Sequence, residues 1–376
     1  MNSVETAIVG GGPAGAATAC ALAAAGREVV LLERSAGPHH KVCGEFLGPE
    51  TLAHLGRLGI DPRALGAAAI DRVAFAGGRG SGVVPLPFPT LSLSRYRLDE
   101  AILQRAAEAG AELRRGVAVS FAERLSQNWR LRCGNGDEIR ARNLVLATGK
   151  WPLRGVEEQR DRSLVGLKMH LRLSPEKTRA LSGRVELFLL APGYAGLELV
   201  EAGVANLCLV LPAAVVGRIG RGWPALRDYL VAVFPPLAAR LEGATALWQK
   251  PLAAVCPASG FMRPPPPPSS APVYPVGDRL AHLPPFAGEG LGMALRSAEL
   301  AARHIRRGLP PASFVAEARR AGGPAIRLAA MVSRLASGRL GRAVVCGAAS
   351  HAPMLLRMLA LQTRIAQLDA AEMEAR

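Results

Sequence analysis

Ala7-Ile8-Val9-Gly10-Gly11-Gly12-Pro13-Ala14-Gly15 decides the fold of this chain. Ala7-Ile8-Val9 is a short apolar run of the kind a buried parallel strand needs. Gly10-x-Gly12-x-x-Gly15 follows it without a break. An alanine-rich helix from Ala14 to Ala25, closed by Gly26, comes next, then a second strand, Val29-Val30-Leu31-Leu32, with Glu33 at its end. Strand, glycine turn, helix, strand and acid make up a complete dinucleotide-binding unit. Gly10 permits the tight turn, Gly12 lets the backbone approach a pyrophosphate, and Gly15 lets helix and strand pack closely. The helix N-terminus, with Pro13 and Ala14 in its first turn, offers unpaired amides and the positive end of its dipole to phosphate. Glu33 is placed to accept hydrogen bonds from ribose hydroxyls, and Arg34 follows it on the same edge.

A second glycine-rich stretch lies near the other end of the chain. It runs Val276-Gly277-Asp278 through Pro284-Pro285-Phe286 to Gly288-Glu289-Gly290-Leu291. Two such stretches in this order point to FAD rather than NAD, the second holding the ribityl chain and ring.

The chain has 376 residues, 49% of them hydrophobic, enough for a large core in two closely joined domains. No apolar run approaches the ~18–20 residues of a membrane-spanning helix, and the apolar N-terminus reads as the nucleotide strand rather than a signal peptide. Cys20, Cys43, Cys133, Cys208, Cys256 and Cys346 are scattered without metal-ligand spacing. Reduced cysteines, no metal and a cytoplasmic setting follow. The net charge of +16 comes from arginines spread along the chain, and nine Phe and four Tyr leave little for base stacking. A nucleic-acid partner is not expected; arginine-rich composition is the plain account of the charge.

The pattern implies an α/β fold with α+β elements: a Rossmann-like dinucleotide domain, an inserted antiparallel-sheet domain and a C-terminal helical segment. The first is expected to be discontinuous, over 1–65, 92–163 and 255–310, with 66–91 and 164–254 as the substrate domain and 311–376 as C-terminal helices. Segment 66–93 reads as short strands and turns, 95–109 as a helix, and 111–119, 129–133 and 138–141 as strands. Asn143 to Gly149 reads as a further buried strand, ending in Ala147-Thr148-Gly149 at the nucleotide edge. Segments 164–173, 184–190, 195–201 and 204–211 alternate apolar and polar residues as an antiparallel sheet does. Residues 212–240 read as helical. The stripe Met354, Leu355, Met358, Leu359, Leu361, Ile365 and Leu368 reads first as ordinary helix packing, and otherwise as a lipid-facing surface.

Gly-x-Gly-x-x-Gly with Glu33, Arg95-x-x-x-Asp99, Leu144-Val-Leu-Ala-Thr-Gly149, Gly277-Asp278 and Gly288-x-Gly290 come in a recognisable order. The chain resembles the FAD-dependent superfamily of para-hydroxybenzoate hydroxylase, geranylgeranyl reductases and flavin-dependent halogenases. That resemblance implies that the N-terminal glycines and Glu33 bind the ADP half of FAD, that Asp278 binds the ribityl chain, and that the helix after Gly290 points at the flavin. A helix dipole there would stabilise an anionic reduced ring. Lys41-Val42-Cys43-Gly44-Glu45 is most similar to the cysteine–glycine loop of the reductase branch, which implies a place near the flavin for Cys43 and Gly44 and a proton-donating thiol. A small residue packed against the flavin is the plainer role for Cys43, and Lys41 reads either as a pyrophosphate contact or as a solvated lysine.

Three departures qualify the resemblance. The hydroxylases' histidine is displaced by one place, to His282. Their Asp-Gly pair is Thr148-Gly149 here, which puts direct NAD(P)H use in doubt. The halogenases' tryptophan signature is absent.

Lys168, His170, Tyr194 and Glu198 fall on the alternating segments, and Phe286 beside the prolines. They are the candidates to orient a substrate, although a solvent-facing strand position is the ordinary reading of the first four and simple packing that of Phe286. The leading functional reading is a monooxygenase hydroxylating an apolar aromatic or polyketide-like metabolite through a flavin C4a-hydroperoxide. The second is a reductase saturating alkenes of a prenyl or polyene lipid, and the third a non-catalytic flavin carrier. Expected partners are a small apolar substrate, NAD(P)H or a separate reductase as electron donor, and peripheral contact with the inner membrane face.

Overall fold

The computed structural model describes residues 2–77, 80–156, 163–190, 193–220, 222–256, 260–266, 271–284 and 288–364. Pro285 and Phe286 therefore lie outside the described residues. Five parallel strands form the nucleotide sheet in the order Glu112–Arg115, Val29–Glu33, Asn2–Val9, Glu138–Leu146 and Val273–Pro275. Its central strands are buried on both faces, as parallel strands under helices must be: every residue of Val29–Glu33 is buried. An antiparallel pair, Val119–Arg124 and Trp129–Cys133, is added to the first half of Glu138–Leu146.

The strand expected over 111–119 is thus two strands. Gly116, at φ +73°, turns the chain between them and sends the second into the antiparallel extension. Conversely, the segments expected at 138–141 and 143–149 are one strand, Glu138–Leu146.

Helix Pro13–Ala23 is alanine-rich because it is buried almost all round, against the sheet and against helices Arg95–Glu108 and Gly290–Arg306. Small side chains permit this close approach. At its head three cofactor segments converge: a Cβ built on Gly277 (φ +57°) would sit 3.1 Å from the Ala14 Cβ and 3.7 Å from the Ala294 Cβ. The Gly277 amide donates to the Ser297 hydroxyl at 2.8 Å, which locks the 277–279 turn onto the last of these helices.

The second sheet has nine strands. Residues 66–93 do not form short strands and turns but a long hairpin, Ala68–Gly77 with Gly80–Ser92. It joins the antiparallel set Gly183–Phe188, Tyr194–Leu199, Ala205–Pro212 and Leu164–Arg172 through one parallel pairing, 183–188 on 68–77. Strand Leu252–Cys256 pairs with 164–168 and so carries this sheet past residue 254.

Period-2 alternation gives this sheet two different faces. Leu167, Met169, Leu171, Leu207, Leu209 and Leu211 pack into an apolar core under three short helices, Ala213–Ile219, Trp223–Val233 and Pro235–Leu241. Gly220 (φ +92°) and Pro235 divide the stretch that reads as continuously helical in sequence. The alternate positions, Lys168, His170, Asn206, Cys208 and Glu198, face the opposite way. Register places Lys168 across from Cys208, His170 across from Asn206, and Asn206 across from Glu198. Helices Pro311–Ser337, Arg339–His351 and Pro353–Gln362 follow; the last two lie against the long hairpin, and the first packs on helices Gly290–Arg306 and Arg339–His351.

The glycine turn generates the first prediction. A Cβ on Gly15 would collide with the Gly10 carbonyl oxygen and lie 2.9 Å from the Ala147 Cβ. Gly15→Ala is expected to cost roughly 1–3 kcal/mol by overpacking and to release FAD. Denaturant titration and the absorbance of the purified protein would measure both.

Candidate active site

The glycine loop, Glu33 and the head of helix Arg95–Glu108 enclose one end of the site. Glu33 is buried at the edge of its strand; it accepts from the Gly11 amide at 2.6 Å and the Ser35 amide at 2.9 Å. Burial pushes its carboxyl up, but these amides and Lys41 outweigh it and hold the group below the ordinary carboxylate range. Arg34 lies exposed over the Trp151 ring at 5.1 Å. Asp99 is shared by two cations: Arg95 donates to it at 2.5 and 2.8 Å, Lys41 at 2.8 Å. With Glu33 the charges beside the loop balance, two carboxylates against two cations, but the cations are the groups nearest the Gly12 backbone. A Cβ on Gly12 would have only the Arg95 Nη2 at 3.8 Å and the Lys41 Nζ at 3.9 Å for neighbours. The Gly12 backbone thus faces open space flanked by cations, a cradle that fits a dianionic pyrophosphate.

Cys43-Gly44-Glu45 joins this end to the second sheet. Glu45 takes φ +62°, an uncommon backbone state for a residue with a Cβ, and its side chain is fully buried. The surroundings over-determine that conformation. The Glu45 carboxylate is ion-paired with the Lys168 ammonium, lies 3.0 Å from the His170 Nε2, and accepts from the Arg95 amide at 2.6 Å. Its carbonyl accepts from the Leu93 amide and the Ser92 hydroxyl. The Asn206 Nδ2 donates to the Cys43 carbonyl at 3.2 Å and the Gly44 carbonyl at 3.1 Å, and the Glu45 amide donates to the Cys43 Sγ at 3.3 Å. A cysteine is thereby fixed between the nucleotide domain and the polar face of the second sheet.

Electrostatics around that cysteine sorts the acids. Burial alone would raise the Glu45 carboxyl, but the His170 hydrogen bond and the Lys168 charge hold it below its ordinary value, so Glu45 is a carboxylate. Glu198 is met by Asn206, at 3.4 Å, and by Ser92; burial and then the Glu45 charge outweigh them and push it up to about 8, so it carries a proton at neutral pH. Two neighbouring acids in opposite protonation states are a common arrangement in proton-transfer sites. Burial, with Cys43 nearby, pushes the Cys208 thiol up to about 12. Lys150 donates to the Cys256 Sγ at 3.4 Å; burial opposes its charge, yet Cys256 and Asp278 hold its proton more tightly than usual.

A ring cluster closes the outer side. His40 stacks on Tyr96 at 5.0 Å and meets His170 and Trp248 at 4.8 Å, while His170 stacks on Trp248 at 4.8 Å. Burial and the His170 and Lys168 charges lower His40 to about 4, so it is neutral. His40, Glu45 and His170 bring three ligand atoms within 4.8 Å of one another. Lys168, on the other Glu45 oxygen, already supplies the positive charge a cation would bring.

The structure brings Lys168, His170 and Glu198 onto one wall, and the solvent-facing reading of these three is wrong: they are 0%, 4% and 3% exposed. The alternation is real, but the sheet's polar side faces the nucleotide domain rather than water. Tyr194 shares that wall, half-buried, with its hydroxyl held protonated by burial and the nearby thiols. Gly149 takes φ +62° beside Ala147 and the half-buried Thr148. Asp278 is half-buried in the turn after Gly277, and Gly288, Gly290 and Leu291 lie at the head of helix Gly290–Arg306. Sequence reasoning missed Glu45, Asn206, His40 and Trp248 as site residues. Only Glu45 carried a signal, its place directly after Cys43-Gly44.

Residues 3–152 match the FAD-binding domain family. Menaquinone reductase of Mycobacterium tuberculosis is 32% identical over 160 residues, 39% of this chain and 38% of the relative; that of Mycolicibacterium smegmatis is 36% identical over 131 residues, covering 32% and 31%. The chain thus matches about a third of the length of these relatives. Among solved structures, the flavin-dependent brominase Bmp2 superposes with TM-score 0.79 at 18% identity, over 98% of this chain and 96% of its own. The p-nitrophenol 4-monooxygenase PnpA from Pseudomonas putida gives 0.74 at 17%, over 98% and 100%. Residues 3–152 thus resemble an FAD-binding domain, and the chain shares the fold of the brominase and of the monooxygenase.

Two predictions follow from the buried charges. A carboxyl held low in the folded state gives stability that is present above its unfolded pKa and lost as pH falls through its folded pKa. Lys168→Met is therefore expected to lower unfolding free energy by roughly 3–5 kcal/mol near neutral pH, with the deficit shrinking on acidification; denaturant midpoints across pH would show it. Glu198 runs the other way: its stability contribution is full at acid pH and declines as pH rises to about 8, at up to ~1.4 kcal/mol per pH unit. Glu198→Gln should remove that decline, read as a wild-type-minus-variant difference that widens toward pH 8.

Proposed function

We propose that this FAD-binding chain is a reductase that saturates a carbon–carbon double bond of an apolar prenyl or polyene lipid. The observation that carries the reading is the Cys43 thiol, fixed by Asn206 and Glu45 between the cofactor cradle and the second sheet. The sequence likeness to menaquinone reductases supports it over the hydroxylase reading, which rests on a fold shared at under 20% identity.

The cradle fits FAD on its own geometry. Gly10, Gly12, Gly15, Glu33, Lys41 and Arg95 would hold the ADP half, and Gly277, Asp278 and the head of helix Gly290–Arg306 the flavin half. Held there in its reduced form, FAD would supply hydride chemistry at one alkene carbon. The adjacent carbon must then gain a proton, and Cys43 is the group this chain offers for that step. Neutral Glu198 is the protonated acid on the wall beside this loop; Asn206, whose amide donates to both, fixes their relative position and carries no proton itself. The Glu45 amide keeps the thiol in place, and Lys168 and His170 hold the Glu45 carboxylate. Thr148-Gly149, in place of the hydroxylases' Asp-Gly pair, favours a separate reductase over bound NAD(P)H as the electron source.

The test is an anaerobic single turnover of reduced holoenzyme with menaquinone, followed by mass spectrometry. The reductase reading expects substrate-dependent flavin reoxidation and a product that remains heavier by one H2, in its prenyl chain, after any quinol has been reoxidised in air. Cys43→Ala should keep its FAD spectrum and lose roughly 10²–10⁴-fold in rate. A product heavier by one oxygen atom, formed only in air, would establish the hydroxylase instead.

A further inference from the structure

The C-terminal helices carry a feature that the site does not use. Between Arg319 and Arg364 the chain has eight arginines and no Asp or Glu. The helices in this stretch also leave large apolar side chains in water. On Pro311–Ser337, Met331 and Leu335 are 51% and 64% exposed, with exposed Arg327 and Arg334 on the same side by helical spacing. On Arg339–His351, Leu340 and Val344, one turn apart, are 79% and 61% exposed beside exposed Arg339. On Pro353–Gln362, Met354, Met358 and Leu361 are all more than half exposed. The expectation that the last stripe is ordinary helix packing is therefore overturned among the described residues.

A helix that presents leucine and methionine flanked only by arginine has the composition of an interfacial helix, with apolar groups for the acyl boundary and guanidinium groups for anionic headgroups. No single described helix is long and apolar enough to cross a membrane, and the last two meet at 112°. That geometry suits lying along a surface.

We propose that residues 319–362 form a docking face for an anionic lipid bilayer. The charge pattern selects this occupant: a second copy would bring arginines against arginines, with no acid in the segment to pair them. The face is also tied to the site. Arg364, at the end of the last described helix, is ion-paired with buried Glu289 at the head of helix Gly290–Arg306, and its guanidinium lies 4.1 Å from the Phe88 ring centroid. Docking would bring the site's surroundings to the membrane surface. The inference stands on surface composition alone and holds whether the enzyme reduces or hydroxylates.

The experiment is sedimentation of the full-length holoprotein with vesicles of phosphatidylcholine alone or mixed with phosphatidylglycerol. Binding to the mixed vesicles is expected to exceed that to the neutral ones by about tenfold or more at low salt and to fall as salt screens the arginines. Leu340→Glu with Met358→Glu should weaken it by a further factor of about ten or more, with flavin absorbance and melting unchanged. Arg334→Gln with Arg339→Gln should remove the preference for anionic lipid. Failure to bind mixed vesicles, binding unaffected by either pair of changes, or a lipid-free dimer abolished by Leu340→Glu with Met358→Glu would overturn the proposal.

Discussion

A single buried carboxylate holds the two halves of this protein in register. Glu45 sits between the domains with its backbone at φ +62° and its charge out of water. Each is unfavourable alone: burial of an ion costs several kcal/mol unless it is paired, and left-handed backbone disfavours a residue with a Cβ. Lys168 and His170 from the second sheet, and the Arg95 amide from the nucleotide domain, offset these costs together. The same residue therefore sets the distance between the sheets, the conformation of the Cys43-Gly44 loop and the protonation of Glu198. A second link repeats the logic at the edge. The Ser94 amide and hydroxyl, which start helix Arg95–Glu108, donate at 2.9 and 2.5 Å to Glu201, in the turn between strands Tyr194–Leu199 and Ala205–Pro212.

On the cofactor side the governing constraint is steric. Helix Pro13–Ala23 can reach both the sheet and helix Gly290–Arg306 because glycine and alanine occupy the contacts. Gly277, wedged against Ala14 and Ala294, brings the end of the chain back to the first turn. Segments far apart in sequence become one binding surface, which is why the two glycine-rich stretches read together as one cofactor site.

The legible parts of the fold were those encoded locally. The strand–glycine–helix unit, helix Arg95–Glu108 with its Ser94 cap, and the alternation of strands 164–172 and 205–212 all depend on near neighbours in the chain. The errors arose where one residue overrode a run, as Gly116 did, or where partners came from afar, as for the long hairpin that joins its sheet by a parallel pairing. Alternation also told which side chains of the second sheet are polar, but not that their side meets another domain. Lys168, His170 and Glu198 were read as solvent-facing for that reason.

The sequence by itself determined the cofactor class, because a glycine turn between strand and helix is a local device whose chemistry needs no distant partner. It also determined the arginine-rich character of the C-terminal helices, which carry no acid between Arg319 and Arg364. Only the tertiary structure decided the protonation states of the site and the exposure of the apolar stripe. Glu45 and Glu198 are the same kind of acid on the same side of one interface, one ionised and one neutral. The difference is that Lys168 and His170 reach Glu45 and not Glu198. Charge in a buried site is set by distance and solvent exclusion, and neither quantity is written along the chain.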